Sequence, residues 1–235
     1  LNESFATFAE FLWAEHSEGI VGLDREIYQK RSSYFSEVSE KRVVPIRKYY
    51  QDPDDLFDSH SYARGGVVLN MLRRKLGDEV FFAGLKNYLT KYAYKTAEIH
   101  DLRLAMEGVS GLDLEMFFNQ WFLKEGHPVL DIKYQTTNKK LNVRIKQVSN
   151  FGIYDLPINL DVIHQGKVIS TFPIHVQNEV DSLPRSSMIT TFNSGLNFSY
   201  FLGKDEINYG FDINNMQTDF RFTNQANRII SDTKY

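Results

Sequence analysis

The chain has 235 residues, 27 basic against 30 acidic side chains for a net charge of −3, and an apolar fraction of 42% that includes 18 Phe and 13 Tyr. That much apolar and aromatic mass excludes disorder as the default, and the interspersed charges exclude a general polyanion binder such as a nucleic-acid protein. No apolar run reaches the roughly 18 residues of a membrane span, and the absence of Cys rules out disulfides and thiolate metal sites.

In chain order, Phe5, Phe8, Ala9, Leu12 and Trp13 recur at helical spacing and predict a first helix through His16 with those residues inward. Glu3 and Glu10 lie seven residues apart, which places both carboxylates on nearly the same face. On spacing alone Glu3 suits a first turn, where the helix dipole favours a carboxylate, and Glu10 a solvated helix surface. Gly19 and Gly22 predict a turn, and Asp24 is a suitable N-cap for a second helix to Glu40 with Ile27, Tyr34, Phe35 and Val38 toward the core. Residues 41–61 read as an irregular connector, which at that length is usually functional or packed across a site. It leads into Phe57-Asp58-Ser59-His60-Ser61-Tyr62-Ala63-Arg64-Gly65-Gly66 and an apolar helix; read alone, Tyr62 is one tyrosine of 13 at a helix entry.

Asp78 is the expected N-cap of a helix carrying Phe82, Leu85 and Tyr88, another helix starts near Thr96-Ala97-Glu98, and Ser110-Gly111-Leu112-Asp113-Leu114 opens the last. Gly126-His127-Pro128 stops the helical pattern, so 1–127 is expected to be helical and 128–235 β-rich. Alternation predicts strands over 129–135, 140–148, 156–164, 167–176 and 186–191, with turns at Asn138-Lys139 and Gln165-Gly166. Strands of this length suit an antiparallel β-sandwich, although its end is undefined after about residue 193. The aromatic stretches 198–211 and 220–222 fit either further strands or a segment packed on a neighbour, and the polar tail from Asn224 is expected to be mobile.

Asn2-Glu3-Ser4-Phe5-Ala6-Thr7-Phe8, with Glu10 seven residues after Glu3, resembles the segment that supplies the third zinc ligand in the M1 family of zinc aminopeptidases. Asp58 to Gly66 resembles the family's Tyr-x-Lys-Gly motif, Leu76-Gly77-Asp78-Glu79 its inter-helix turn, and Phe117 to Pro128 its closing helix and exit turn. Gln147 and Leu156-Pro157-Ile158 match the β-sandwich module that follows the catalytic domain in many members. The resemblance covers residues 1–165. It implies an α + β multidomain arrangement, with the helical C-terminal subdomain of a thermolysin-like catalytic domain followed by an antiparallel β-sandwich. It assigns Glu3 as the zinc ligand, Tyr62 as the catalytic tyrosine that donates to the oxyanion, and Glu10 as a carboxylate that orients a ligand or a neighbour. His60 is a candidate for orienting Tyr62, and His127 reads as structural. Ser4 stands where the family usually has Gly, and Arg64 where it has Lys, which keeps the charge but changes the hydrogen-bond geometry.

The six histidines, His16, His60, His100, His127, His164 and His175, include no pair four residues apart, so the family's His-Glu-x-x-His helix is absent, as is its Gly-x-Met-Glu-Asn motif. Both are expected upstream of Leu1. The expectation is a fragment of a zinc-dependent aminopeptidase that hydrolyses N-terminal residues from peptides in the intact protein and is inactive alone. It would hold zinc weakly, self-associate through surface left uncovered, and carry no information on compartment. The alternatives are a non-catalytic scaffold with the same fold and an interaction module formed by the β half.

Overall fold

In a computed structural model the described residues are 1–137, 140–164, 167–176, 189–191, 197–202, 206–212, 219–224 and 229–233. They form two compact units, Leu1–Gly126 and His127–Tyr235. The first contains α1 (Asn2–Val38), a 3₁₀ turn (Pro53–Leu56), a π-helical turn (His60–Arg64), α2 (Gly65–Leu76), α3 (Asp78–Lys91), α4 (Ile99–Ser110) and α5 (Glu115–Trp121).

Helix α1 is two arms joined at Gly19, whose φ of 70° lies in the region that suits a residue without Cβ. In one straight helix, twenty residues would separate Glu10 from Lys30 by about 30 Å. Their side chains instead form an ion pair at 2.6 Å, so the arms fold back on each other. The chain therefore turns at Gly19 without the separate loop expected before Asp24, and Asp24 lies inside the second arm.

The inward face of the first arm is Ser4, Thr7, Phe8, Phe11 and Ala14. Ala9 is exposed and Trp13 is 70% exposed, contrary to the sequence reading. The buried stripe is set one residue away from the pair Ala9 and Trp13, and small polar Ser4 and Thr7 take the positions nearest α2. Phe35 is likewise exposed, whereas Tyr34 and Val38 are buried. Phe8 and Phe11 join Leu23, Val68, Leu69, Leu72, Phe81, Tyr88, Leu102, Met106, Leu114, Phe118 and Phe122 in one apolar core. Gly77 rather than Asp78 stands at the N-cap of α3; the Asp78 carboxylate instead accepts two bonds from Arg73, at 2.9 and 2.7 Å. Arg73 also pairs with Glu15, which locks α2 to the first arm of α1. Glu98 and Asp101 form a reciprocal cap on α4.

In the second unit, β1 (Leu130–Thr137), β2 (Lys140–Gln147), β7 (Glu206–Asp212), β6 (Asn197–Leu202) and β5 (Ile189–Thr191) make one antiparallel sheet in the order β1-β2-β7-β6-β5. The other has the order β4-β3-β8-β9, from β3 (Leu156–His164), β4 (Lys167–Val176), β8 (Asp219–Asn224) and β9 (Ile229–Thr233). Leu156, Ile158 and Leu160 alternate inward along β3. The Gln147 amide at the end of β2 donates to Tyr154 O at 2.7 Å and accepts from Tyr154 N–H at 2.9 Å, tying the first sheet to the entry of β3. The His127 ring packs on Phe151, a structural role. The aromatic stretches after 197 are strands, and β9 lies within the tail expected to be mobile. The turns at Asn138-Lys139 and Gln165-Gly166, and residues 186–188 of the fifth expected strand, lie outside the described residues.

The contact between α1 and α2 leaves no space at Gly66, where a Cβ would stand 2.6 Å from Thr7 Cγ2 and 2.9 Å from Thr7 Cβ. Gly66→Ala is expected to lower unfolding free energy by about 1–3 kcal/mol, the usual cost of overpacking. Urea denaturation monitored by circular dichroism measures it, and an unchanged midpoint would count against this packing.

Candidate functional site

The site is built where the first turn of α1 meets the π-helical turn that enters α2. Asp58 starts that turn: its Oδ1 accepts the Ser61 N–H at 2.9 Å, and its backbone carbonyl accepts the Tyr62 N–H at 3.1 Å. The hydrogen bonds then lengthen by one residue, Arg64 N–H reaching Ser59 O at 2.8 Å and Gly65 N–H reaching His60 O. A widened turn of this kind changes which way its side chains point and is frequent at functional sites.

Tyr62 is the residue that benefits. Its phenol lies near the carboxylate of half-buried Glu3, so the two residues singled out from the motifs come together at one place. The phenol pKa is raised, first by burial and then by the nearby Glu3 carboxylate, whose charge opposes a tyrosinate. The result is a neutral hydrogen-bond donor. Phe57, 68% exposed, lies beside it with ring centroids 6.0 Å apart.

The neighbours of Tyr62 point elsewhere and hold the turn in place. Arg64 is buried and does not enter the site: it donates to the carbonyls of Trp121 at 3.0 Å and Lys124 at 2.7 Å, and its guanidinium sits over the Tyr34 ring. It thereby satisfies carbonyls at the C-terminal end of α5, where a cation is favoured. His60 is fully buried, and its Nε2–H donates to the Lys41 carbonyl at 2.8 Å while the ring packs edge-on against Tyr34. It does not orient Tyr62 as the sequence suggested, because two residues along the turn the side chain faces the core. Burial lowers its pKa, more than the Lys41 bond raises it. Glu10 is exposed and paired with Lys30, two turns of helix beyond Glu3. Such a surface pair contributes little to stability.

A further group, unseen in the sequence, anchors the start of the turn. Asp58 accepts Arg47 and Lys41, each at 2.7 Å, and Arg47 also donates to Ser61 Oγ at 2.8 Å. Asp58 three residues before Ser61 is a legible cap signal. Arg47 and Lys41 reach it through an irregular connector that no periodicity describes. Glu37, from the second arm of α1, accepts the Ser59 N–H at 2.6 Å.

With that geometry in view, comparison with known proteins is informative. The model of the peptidase family M1 domain matches residues 1–121, just over half of the chain. The chain belongs to peptidase family M1. Among curated relatives, a probable aminopeptidase 1 from Sulfurisphaera tokodaii is 30% identical over 69% of this chain and 22% of its own length. The tricorn protease-interacting factor F2 of Thermoplasma volcanium is 33% identical over 72% of this chain and 22% of its own length. The fold resembles aminopeptidase A of Legionella pneumophila with a TM-score of 0.63 at 16% identity, covering 96% of this chain and 23% of that one. This M1 chain therefore spans about a fifth to a quarter of the length of the relatives it matches. No helix among the described residues is long and apolar enough to cross a membrane.

The ion pairs at Asp58 hold its pKa down to about 2, against the burial that would raise it. A depressed folded-state pKa stabilises the fold above the unfolded value near 3.8 and is lost as pH falls toward about 2. Asp58→Asn is expected to cost about 3–5 kcal/mol near neutral pH, because it strands two cations. The gap from wild type should narrow as pH falls from 4 toward 2; a gap independent of pH, read from denaturation midpoints, would contradict this role.

Proposed function

We propose that this chain is part of a zinc-dependent aminopeptidase, and that Glu3 and Tyr62 are its contribution to the reaction. The observation that carries this reading is the proximity of the Glu3 carboxylate to the Tyr62 phenol, two residues from separate motifs 59 positions apart in sequence. A scaffold without chemistry has no physical need for this pair. Glu3 has the donor chemistry for a hard or borderline cation, and its half-buried setting suits a ligand that must be desolvated without being lost in the core.

Among the described residues no group of three or more His, Cys, Asp or Glu is placed to hold a metal. A catalytic zinc site takes three protein ligands and keeps one position open. Glu3 would serve as one ligand of such a site, with the other two supplied by the longer protein. When bound there, zinc supplies Lewis-acid polarisation of a carbonyl and activation of water. The work of this chain is different. Glu3 holds its share of the metal charge, and Tyr62, kept protonated, donates to the oxygen of a peptide carbonyl as negative charge develops on it. Asp58, Arg47 and Arg64 fix the turn so that the phenol is already aimed, and Glu10 pairs with Lys30. The two antiparallel sheets of the second unit read as the β-sandwich that follows the catalytic domain in the family. Peptides with a free N-terminus are the proposed substrates.

In the full-length protein, Glu3→Gln is expected to remove most bound zinc, measured by elemental analysis. Tyr62→Phe should retain zinc and lose about 10²- to 10³-fold in kcat, the usual cost of one oxyanion donor. The 235-residue chain alone, after dialysis, should hold no stoichiometric zinc. Full zinc in Glu3→Gln, or wild-type kcat in Tyr62→Phe, would overturn the assignment.

A further inference from the structure

We infer that Ser4 is a positioning residue, whose hydroxyl fastens the Glu3 backbone to the Tyr62 turn and so sets the distance between carboxylate and phenol. This rests on the reading of Glu3 and Tyr62 given above. Ser4 is fully buried, and its Oγ–H donates to the Ser61 carbonyl at 2.8 Å. Glu3 is the chain neighbour of the donor, and Tyr62 the chain neighbour of the acceptor. The Ser4–Ser61 bond therefore ties the residue beside Glu3 to the residue beside Tyr62 and limits how far apart the two segments can move.

Three of the four other serines of α1 show how unusual this is. Ser17, Ser32 and Ser33 each donate to the carbonyl four residues back in their own helix, at 2.9, 2.9 and 3.2 Å, the ordinary local choice for a helical hydroxyl. Ser4 instead reaches across 57 positions. Its partner lies within the widened turn, whose shifted hydrogen bonds make backbone carbonyls available to outside donors. Gly65 leaves the room, since a Cβ there would fall on the Ser4 hydroxyl. Alanine at residue 4 would fill nearly the same volume yet leave a buried carbonyl without its donor, and the turn would relax toward other partners. The bond is specific to a residue with a hydroxyl, which the usual family glycine at this position lacks.

In the full-length protein, Ser4→Ala and Ser4→Gly should each lower kcat about tenfold to a hundredfold with KM unchanged, in the range seen when an outer support of a metal site is removed. The two losses should be similar, as loss of one hydroxyl requires; a packing role would separate them. If Glu3→Gln keeps its full zinc content, the reading of Glu3 beneath the proposed function fails, and this inference with it. If Glu3→Gln loses zinc while both Ser4 variants keep wild-type kcat, the Ser4 inference alone is overturned.

Discussion

The close approach of two backbones, at Ser4 and Thr7 on α1 and Gly65 and Gly66 on α2, is the constraint on which the rest of the helical unit depends. Any Cβ on those glycines would force the helices apart. With them together, the buried stripe of Phe8 and Phe11 reaches Val68, Leu69 and Leu72, and burying such side chains contributes about 1.5–3 kcal/mol each. The same contact presents the first turn of α1 to the entry of α2. Core packing and the meeting of Glu3 with Tyr62 are thus two results of one interface.

The widened turn is held from both sides by charged groups that never face the phenol. Asp58, with Arg47 and Lys41, closes its beginning; Arg64 closes its end against the carbonyls of Trp121 and Lys124. Buried charges are costly, and here Asp58 is paired with two cations while Arg64 donates to two carbonyls. A phenol mounted on such a turn loses little further freedom when it donates to a developing charge, which is the physical content of preorganisation.

Much of this was legible in the residues. The order of motifs points to family M1. The helices from Gly65 to Trp121 and the first four strands fall where the periodicity places them. What failed depended on tertiary partners. Trp13 fits the helical spacing as well as Phe11 does, and only the return of the second arm and the position of α2 decide between them. Asp78 has the chemistry of a cap, yet Arg73 claims its carboxylate. Arg64 and His60 flank Tyr62 in sequence but turn inward, because a five-residue hydrogen-bond spacing rotates successive side chains differently from an ordinary helix. Arg47 carried no signal at all, since its role is defined by a loop path.

The central claim is that the first turn of α1 and the turn before α2 form one wall of a metal-dependent hydrolytic site. Anomalous diffraction at the zinc edge, on crystals of the full-length protein, tests it most directly. The account predicts a zinc peak about 2.0–2.2 Å from a Glu3 carboxylate oxygen, with the Tyr62 hydroxyl facing the open position without ligating the metal. A zinc peak remote from Glu3, or one unchanged in Glu3→Gln crystals, would contradict it.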